Sequence, residues 1–426
     1  MRAILEVVES VFQAFKERKL RGERLGAPGD EGGQTTLDWF LDDPNSSSEV
    51  LDETGVYEVP VIGGSAQEWS VLGVDGSSRR FSTPYGSLAL ATVSLTWGPL
   101  PLFDYPPLGY EYPVRSVLQE PFIATYEGLG VKHELVATTS PAGHPYEPPL
   151  SGSIEEKGGK QKGYTLAEIA HETRTRLETL GLKVAAEVLH KGGLVILDGP
   201  LYQKPWTREV IKNPHLRDDW RELTVERVRV LERAGSSGIA VVGSVKRLDK
   251  SRLLVEAHGS LSGKLGLSFP RHENDQAEAV RLASLYIKKH KLKGLRPLLI
   301  GPLKAKISDE PKERLGVDPP EYVFAYVVVP QLPYDGSLDV PCGVLRLEVL
   351  REVYEKEGVG VFFRALSEGF TQGPPLPPAQ AFADARCRQT SRALFEYLCR
   401  TALTEGIELS YGTWLAFSRA GEEYAE

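Results

Sequence analysis

Apolar residues near the start of the chain recur at helical intervals. Ile4, Val7, Val8, Val11, Phe12 and Phe15 fall on one stripe, which predicts an amphipathic helix over residues 1–20. Residues 25–56, with Asp42-Asp43-Pro44-Asn45 and three serines, read as an exposed acidic connector. Such a helix can dock on its own core or on a partner. From Trp69 the pattern becomes strand-like. Val71, Leu72 and Val74 run into Asp75-Gly76, and residues 87–95 alternate small and apolar positions. Residues 138–163 are rich in Pro, Gly, Ser and Lys, as expected of a flexible surface insertion. Thr165 to His190 is predicted helical and ends at Gly192-Gly193.

Leu194-Val195-Ile196-Leu197 is wholly apolar, the signature of a strand covered on both faces. A helix at 218–234 carries Trp220, Leu223, Val228 and Leu231 on one stripe, and an apolar strand at 238–245 ends in Lys246-Arg247. This β-α-β succession implies parallel strands with right-handed crossovers. A helix at 275–292, strands near 321–330 and 343–349, a stiff Pro-rich stretch at 373–378 and a helix at 379–404 complete the pattern. The class is α/β with a mixed central sheet flanked by helices. The expected organisation is an N-terminal helix and connector (1–56), one main domain (57–410) and a tail (411–426).

Composition narrows the function. The 426 residues carry 50 Lys+Arg against 58 Asp+Glu, a net charge of −8. That balance argues against coating nucleic acid or an anionic membrane by bulk charge, while leaving room for a locally basic channel. Cys342, Cys387 and Cys399 are too few for a disulfide framework and form no C-x-x-C, so they read as reduced thiols. The first twenty residues mix apolar and charged positions, unlike a signal peptide or a membrane span, so a cytoplasmic protein is expected.

Two carboxylates stand where strands too apolar for the surface come to an end. Asp75 follows Val71-Leu72-Gly73-Val74, Asp198 follows Leu194 to Leu197, and glycine comes next in both. An ionised carboxylate there is costly unless paired, and two brought together call for a divalent cation. Each can otherwise cap a turn, since Asp-Gly is a common turn dipeptide. Glu178 shares a stripe with Leu182, Ala185 and Leu189 and so points inward, whereas Glu187 falls on the opposite face. Glu172 is an alternative, and pairing of Glu178 with Arg174 is the competing role. Hard oxygen ligands suit Mg²⁺ or Mn²⁺ and phosphoryl chemistry. The absence of G-x-x-x-x-G-K-[ST], G-x-S-x-G and H-E-x-x-H removes P-loop ATPases, α/β-hydrolases and zincins.

Val74-Asp75-Gly76-Ser77, Arg176-Leu177-Glu178, Leu197-Asp198-Gly199-Pro200-Leu201 and Val241-Val242-Gly243-Ser244-Val245-Lys246-Arg247, in that order, resemble the NurA nucleases. The resemblance spans roughly residues 65–405. It implies an RNase H-like (PIWI-like) core over the 57–410 domain and two Mn²⁺ or Mg²⁺ ions. It also implies 5′→3′ exonuclease and single-strand endonuclease activity on single- and double-stranded DNA. The implied setting is DNA end resection and double-strand break repair, as a homodimer docked on a HerA-type hexameric translocase. Carried over, Asp75, Glu178 and Asp198 would hold metal, Lys246 would contact a phosphate, and Tyr326 would stand near the reacting centre. At the start of the last helix, where the family has His or Asp, this chain has Gln380, whose amide oxygen would be the ligand, with Asp384 one turn later as a substitute. The alternative is a weak or inactive adapter of the same fold. Lys288, Lys289, His290, Lys291, Lys293 and Arg296, and separately Arg79-Arg80, are candidate phosphate contacts or, for the first group, a cationic helix end. The N-terminal helix is the expected docking element for the motor.

Overall fold

The structure, a computed structural model, describes residues 2–23, 47–60, 71–106, 123–127, 133–137, 166–203, 214–292, 296–308, 312–313, 316–333, 335–338, 340–371 and 375–422. The 138–163 insertion, Lys293 and the side chain of Glu172 lie outside the described residues.

Its heart is five strands. β2 (Val71–Thr83), β3 (Gly86–Trp97) and β4 (Leu100–Tyr105) form an antiparallel meander, and β7 (Leu194–Asp198) and β8 (Ala240–Val245) continue the sheet parallel to β2. Helix α2 (Leu166–Val188) precedes β7 and α3 (Pro214–Ser236) connects β7 to β8. The order β4-β3-β2-β7-β8 is that of an RNase H-like core, as expected. β7 is so short and apolar because both faces are covered: Leu194, Val195, Ile196 and Leu197 are each at most 1% exposed.

Beyond β8 the sheet grows through β11 (Cys342–Leu350), β10 (Tyr322–Pro330), β9 (Leu298–Lys306) and β1 (Ser47–Glu58), all antiparallel to their neighbours. On the other side β5 (Ile123–Glu127) pairs with β3, and β6 (His133–Ala137) with β5. Strand β1 corrects the connector expected over 25–56, because residues 47–58 of that span pair with β9. It is an edge strand whose Glu49, Asp52, Glu53 and Glu58 face solvent while Thr54 and Val56 are buried. Charge on an edge discourages pairing with other chains, and it also disguises the strand in the sequence.

Helix α1 (Arg2–Leu20) settles where its stripe goes. Val8, Val11, Phe12 and Phe15 pack on Phe81, Tyr85, Leu88, Leu394 and Phe395. Gly86 makes the room, since a Cβ there would stand 2.2 Å from the Phe15 ring. Burying Phe15 alone contributes about 2 kcal/mol. These four residues are therefore spent on the chain's own core, not held out to a partner.

Helices α4 (Leu253–Glu256), α5 (His258–Leu265), α6 (Asp275–His290), α7 (Arg351–Glu357) and α8 (Gly360–Ala365) come between β8 and the long helix α9 (Pro378–Thr404), which lies on the face opposite α2. The pleat assigns the faces: a Cβ on Gly73 would fall 1.9 Å from the Ala379 carbonyl oxygen, and one on Gly76 would fall 2.7 Å from Glu178 Cγ. Odd-numbered positions of β2 thus face α9, and even-numbered ones face α2. Gly73 allows α9 to seat directly on β2, and this contact brings the start of α9 over the strand ends.

Candidate metal centre

Asp75 sits in β2 on the α9 side, 5% exposed, and among the described residues no side chain or amide donates a hydrogen bond to it. Burial, then the neighbouring Asp198, push its carboxyl well above the usual carboxylate range, Lys246 pulls it back, and Glu178 and Asp384 raise it further. Asp198 ends β7 and Asp384 comes from the second turn of α9. Carboxylate oxygens of Asp75, Asp198 and Asp384 lie within 4.8 Å of one another. Three converging carboxylates, one of them buried and without a donor among the described residues, form a set of hard oxygen ligands that fits a divalent cation.

Lys246, just past β8, partly neutralises the cluster. Its Nζ is 2.7 Å from Asp198 Oδ2 and 3.5 Å from Asp384 Oδ1. Burial disfavours the ammonium, but Asp198, Asp384 and Asp75 outweigh it and hold its pKa above the ordinary lysine value. Arg388 adds a second cation, 3.1 Å from Asp384 Oδ1 and largely exposed.

Gln380 is not placed as a metal ligand, which corrects that expectation. It is fully buried, its Nε2 donates to Asp198 Oδ1 at 2.7 Å, and its Oε1 accepts from the Ser244 hydroxyl at 2.7 Å. A carboxylate can only accept, so the amide nitrogen must face Asp198 and the oxygen turns away from the cluster. Gln380 orients Asp198, and the carboxylate of this helix is Asp384, one turn on.

Glu178 is inward, as its stripe predicts, but it approaches from the other face of β2, beneath Gly76. Its oxygens are held by Arg227 Nη2 at 3.2 Å and Arg174 Nε at 3.5 Å, and it is not one of the three converging carboxylates. Its charge still reaches Asp75. The principal partner is the buried Arg227, which also donates to Thr179 Oγ1 at 2.7 Å and to the carbonyls of Thr175 and Leu201. The sequence signal for it is an arginine on the Leu223–Leu231 stripe of α3.

Tyr326 lies elsewhere. Its hydroxyl donates to Asp275, and it stands two strands from β8, opposite Arg346 of β11. It belongs to a buried chain of polar groups in which Asp275 accepts from Ser251, Ser251 accepts from Arg346, and Arg346 pairs with Glu348. Glu348 Oε2 accepts from the Leu201 amide at 3.1 Å, bracing the turn that follows Asp198. Tyr326 therefore supports the site through this network without touching it.

Three further residues carry no signal in the sequence. Ser94, paired across from Asp75, donates to Asp104 Oδ1 at 2.6 Å, and Arg386 of α9 clamps the other oxygen of Asp104, with its Nε at 2.8 Å. Of the basic residues, Arg79 donates to Ser391 at 3.1 Å on the α9 side, and Arg80 to Ser82 and Ser87. No helix among the described residues is long and apolar enough to cross a membrane.

Among solved structures the chain aligns with the NurA nuclease from Sulfolobus solfataricus, 13% identical with a TM-score of 0.37, over 89% of this chain and 92% of that one. A second NurA is 10% identical with a TM-score of 0.30, over 94% of this chain and 97% of that one. A NurA solved with manganese is also 10% identical, with a TM-score of 0.29, over 94% of this chain and 98% of its own. No curated protein sequence matches. The NurA domain model matches residues 70–386, a span that holds Asp75, Asp198 and Asp384, and the chain belongs to the NurA family of nucleases.

Proposed function

We propose that the protein is a DNA nuclease dependent on Mn²⁺ or Mg²⁺, with 5′→3′ exonuclease and single-strand endonuclease activity. The observation that carries this reading is the convergence of three carboxylates, Asp75 from within β2, Asp198 from the end of β7 and Asp384 from α9. Those three would hold the metal, with Glu178 contributing negative charge from beneath Gly76. Bound there, a divalent ion or an ion pair supplies a water of lowered pKa and Lewis-acid stabilisation of the phosphate oxygens. Lys246 and Arg388 offer positive charge at the rim for the phosphodiester, and Gln380 fixes the orientation of Asp198. In this reading the enzyme would act in the cytoplasm, as a homodimer working with a HerA-type hexameric translocase in DNA end resection and double-strand break repair. With α1 packed on its own core, the motor would dock on other surfaces.

An inactive adapter of the same fold was suggested by Gln380 standing where His or Asp is usual. Asp384 supplies the missing carboxylate one turn later, which favours the active enzyme. The test is incubation of the purified protein with end-labelled single-stranded DNA and Mn²⁺, with EDTA as control, alongside Asp75→Ala and Asp198→Ala. Cleavage blocked by EDTA and lost in both variants is expected. Cleavage by either variant at the wild-type rate would overturn the assignment.

A further inference from the structure

The charges around the three carboxylates set how much positive charge the centre can hold. Asp75 feels Asp198, Lys246, Glu178 and Asp384. Of these, Glu178 is already matched, with Arg227 Nη2 at 3.2 Å and Arg174 Nε at 3.5 Å. The next carboxylate on the α9 face is Asp104, two strands from Asp75 through Ser94, and Arg386 Nε holds it at 2.8 Å. Both acidic groups that could widen the centre thus carry arginines of their own. What remains is Asp75, Asp198 and Asp384, with one cation set among them.

That cation is Lys246. Its Nζ reaches two of the three carboxylates, at 2.7 Å from Asp198 Oδ2 and 3.5 Å from Asp384 Oδ1. Three carboxylates less one ammonium leave a net charge that a single divalent ion balances. A second divalent ion would overshoot by two charges beside Asp75, which is only 5% exposed. Unbalanced charge is costly in a buried place. Two such ions about 4 Å apart would also repel each other four times as strongly as unit charges do. Arg388, at 67% exposed, is well screened, and counting it tips the balance further against a second ion. The oxygens agree. Asp198 has a donor on each, Gln380 on Oδ1 and Lys246 on Oδ2, which leaves Asp75 and Asp384 Oδ2 without a donor among the described residues.

We propose that this enzyme holds a single divalent ion per chain, and that the Lys246 ammonium supplies the other positive charge, which two-metal nucleases draw from a second ion. The proposal rests on the nuclease reading above and names its metal requirement. It departs from the two ions that the family resemblance implies, because the charges that would offset a second ion are already matched by arginines.

The test counts ions on the full chain, with free Mn²⁺ followed by electron paramagnetic resonance during a titration. The wild type should bind one Mn²⁺ per chain, and Asp75→Ala should lose it. Lys246→Gln should bind that ion at least about fivefold more tightly, the effect of one unit charge at 4 Å even in water, whereas Lys246→Arg stays near the wild type. Wild-type cleavage of labelled single-stranded DNA should rise with Mn²⁺ along a simple hyperbola. Two Mn²⁺ per wild-type chain that both vanish in Asp75→Ala, a sigmoidal dependence of cleavage on Mn²⁺, or binding by folded Lys246→Gln that is no tighter than wild type would each overturn the proposal. The count is made on the wild type, so it decides the matter even should a variant fold poorly. A wild type that binds one ion but never cleaves removes the nuclease reading alone. One that cleaves with two ions removes the single-ion proposal alone, and one that binds no Mn²⁺ removes both.

Discussion

Gln380 donates its side-chain amide to Asp198 at 2.7 Å while the Ser244 hydroxyl takes up its oxygen. Groups that orient a metal ligand from behind change metal affinity or activity by about 10–100-fold when removed. Gln380→Ala is therefore expected to cut Mn²⁺-supported cleavage by about that factor. Gln380→Glu should be at least as damaging, because a carboxylate cannot donate to Asp198 and sets a fourth negative charge beside it. Were Gln380 a ligand, the Glu variant would match or exceed the wild type. Cleavage rates over a Mn²⁺ titration distinguish these outcomes.

Asp75 ties function to stability. Its folded-state pKa is raised above the ordinary value of 3.8, chiefly by burial and then by Asp198. The folded state thus favours the protonated acid. This contribution to stability is fully present below pH 3.8 and is lost as pH rises through the raised value. At neutral pH, well above the ordinary value, keeping this carboxyl buried works against the metal-free fold. Asp75→Asn should accordingly melt at a higher temperature than the wild type in EDTA, and should lose the rise in melting temperature that Mn²⁺ gives the wild type. Differential scanning calorimetry at pH 7 reads both. A lower melting point for the variant would contradict this account.

The Arg227–Glu178 pair is buried on both sides, with side chains 1% and 6% exposed. Removing one partner of such a pair strands the other charge, at a cost of about 3–5 kcal/mol. Arg227→Leu should show that loss in urea unfolding, and Glu178→Gln in the same background should recover much of it. Additive losses in the double variant would mean that the two residues are not coupled.

Acid should loosen α1. The Tyr85 hydroxyl donates to Glu408 at 2.7 Å, and this bond, with a backbone bond and Lys19 against slight burial, pushes the Glu408 carboxyl down to about 2. Its folded-state value is depressed, so its stabilisation is present above the ordinary 4.5 and is lost as pH falls towards about 2. Lys16 and Lys19 reach Glu405 and Glu408 across the same seam. The carboxylates are exposed, so salt should weaken the effect. Protection of α1 amides against hydrogen exchange, relative to the intrinsic rate at each pH, is expected to fall below pH 4.5, and Tyr85→Phe should lower protection at pH 7 while changing it little near pH 2.

The sequence exposed Asp75 and Asp198 because each interrupts a run too apolar to end in charge without a reason. Glu178 was legible as inward for the same kind of reason, and so was its neighbour Arg174 one turn away, but its closer partner was not. Arg227 lies on a different helix, and only the packing of α2 against α3 joins them. Asp384 was hidden by its own helix. Gln380 and Asp384 share a face at a spacing of four, and only the seating of α9 on Gly73 decides which of them reaches the carboxylates. Tyr326 was misplaced because burial of a strand tyrosine says nothing about which strand lies beside it. Strand β1 was missed since its solvent-facing residues are acidic. The neighbours of β8, in the order β11, β10, β9 and β1, depend on pairings between distant segments, which local patterns do not encode.

The three carboxylates enter the chain in the order Asp75, Asp198, Asp384, and the last arrives on α9 near its end. During synthesis the ribosome releases Asp75 and Asp198 long before the helix that completes their set. A chain truncated ahead of α9 would also expose the Gly73 surface of β2 and lack Gln380 to orient Asp198. Partial or clipped products therefore carry no assembled centre. Competence for metal would come only with the finished fold, since the third carboxylate is carried by its last long helix.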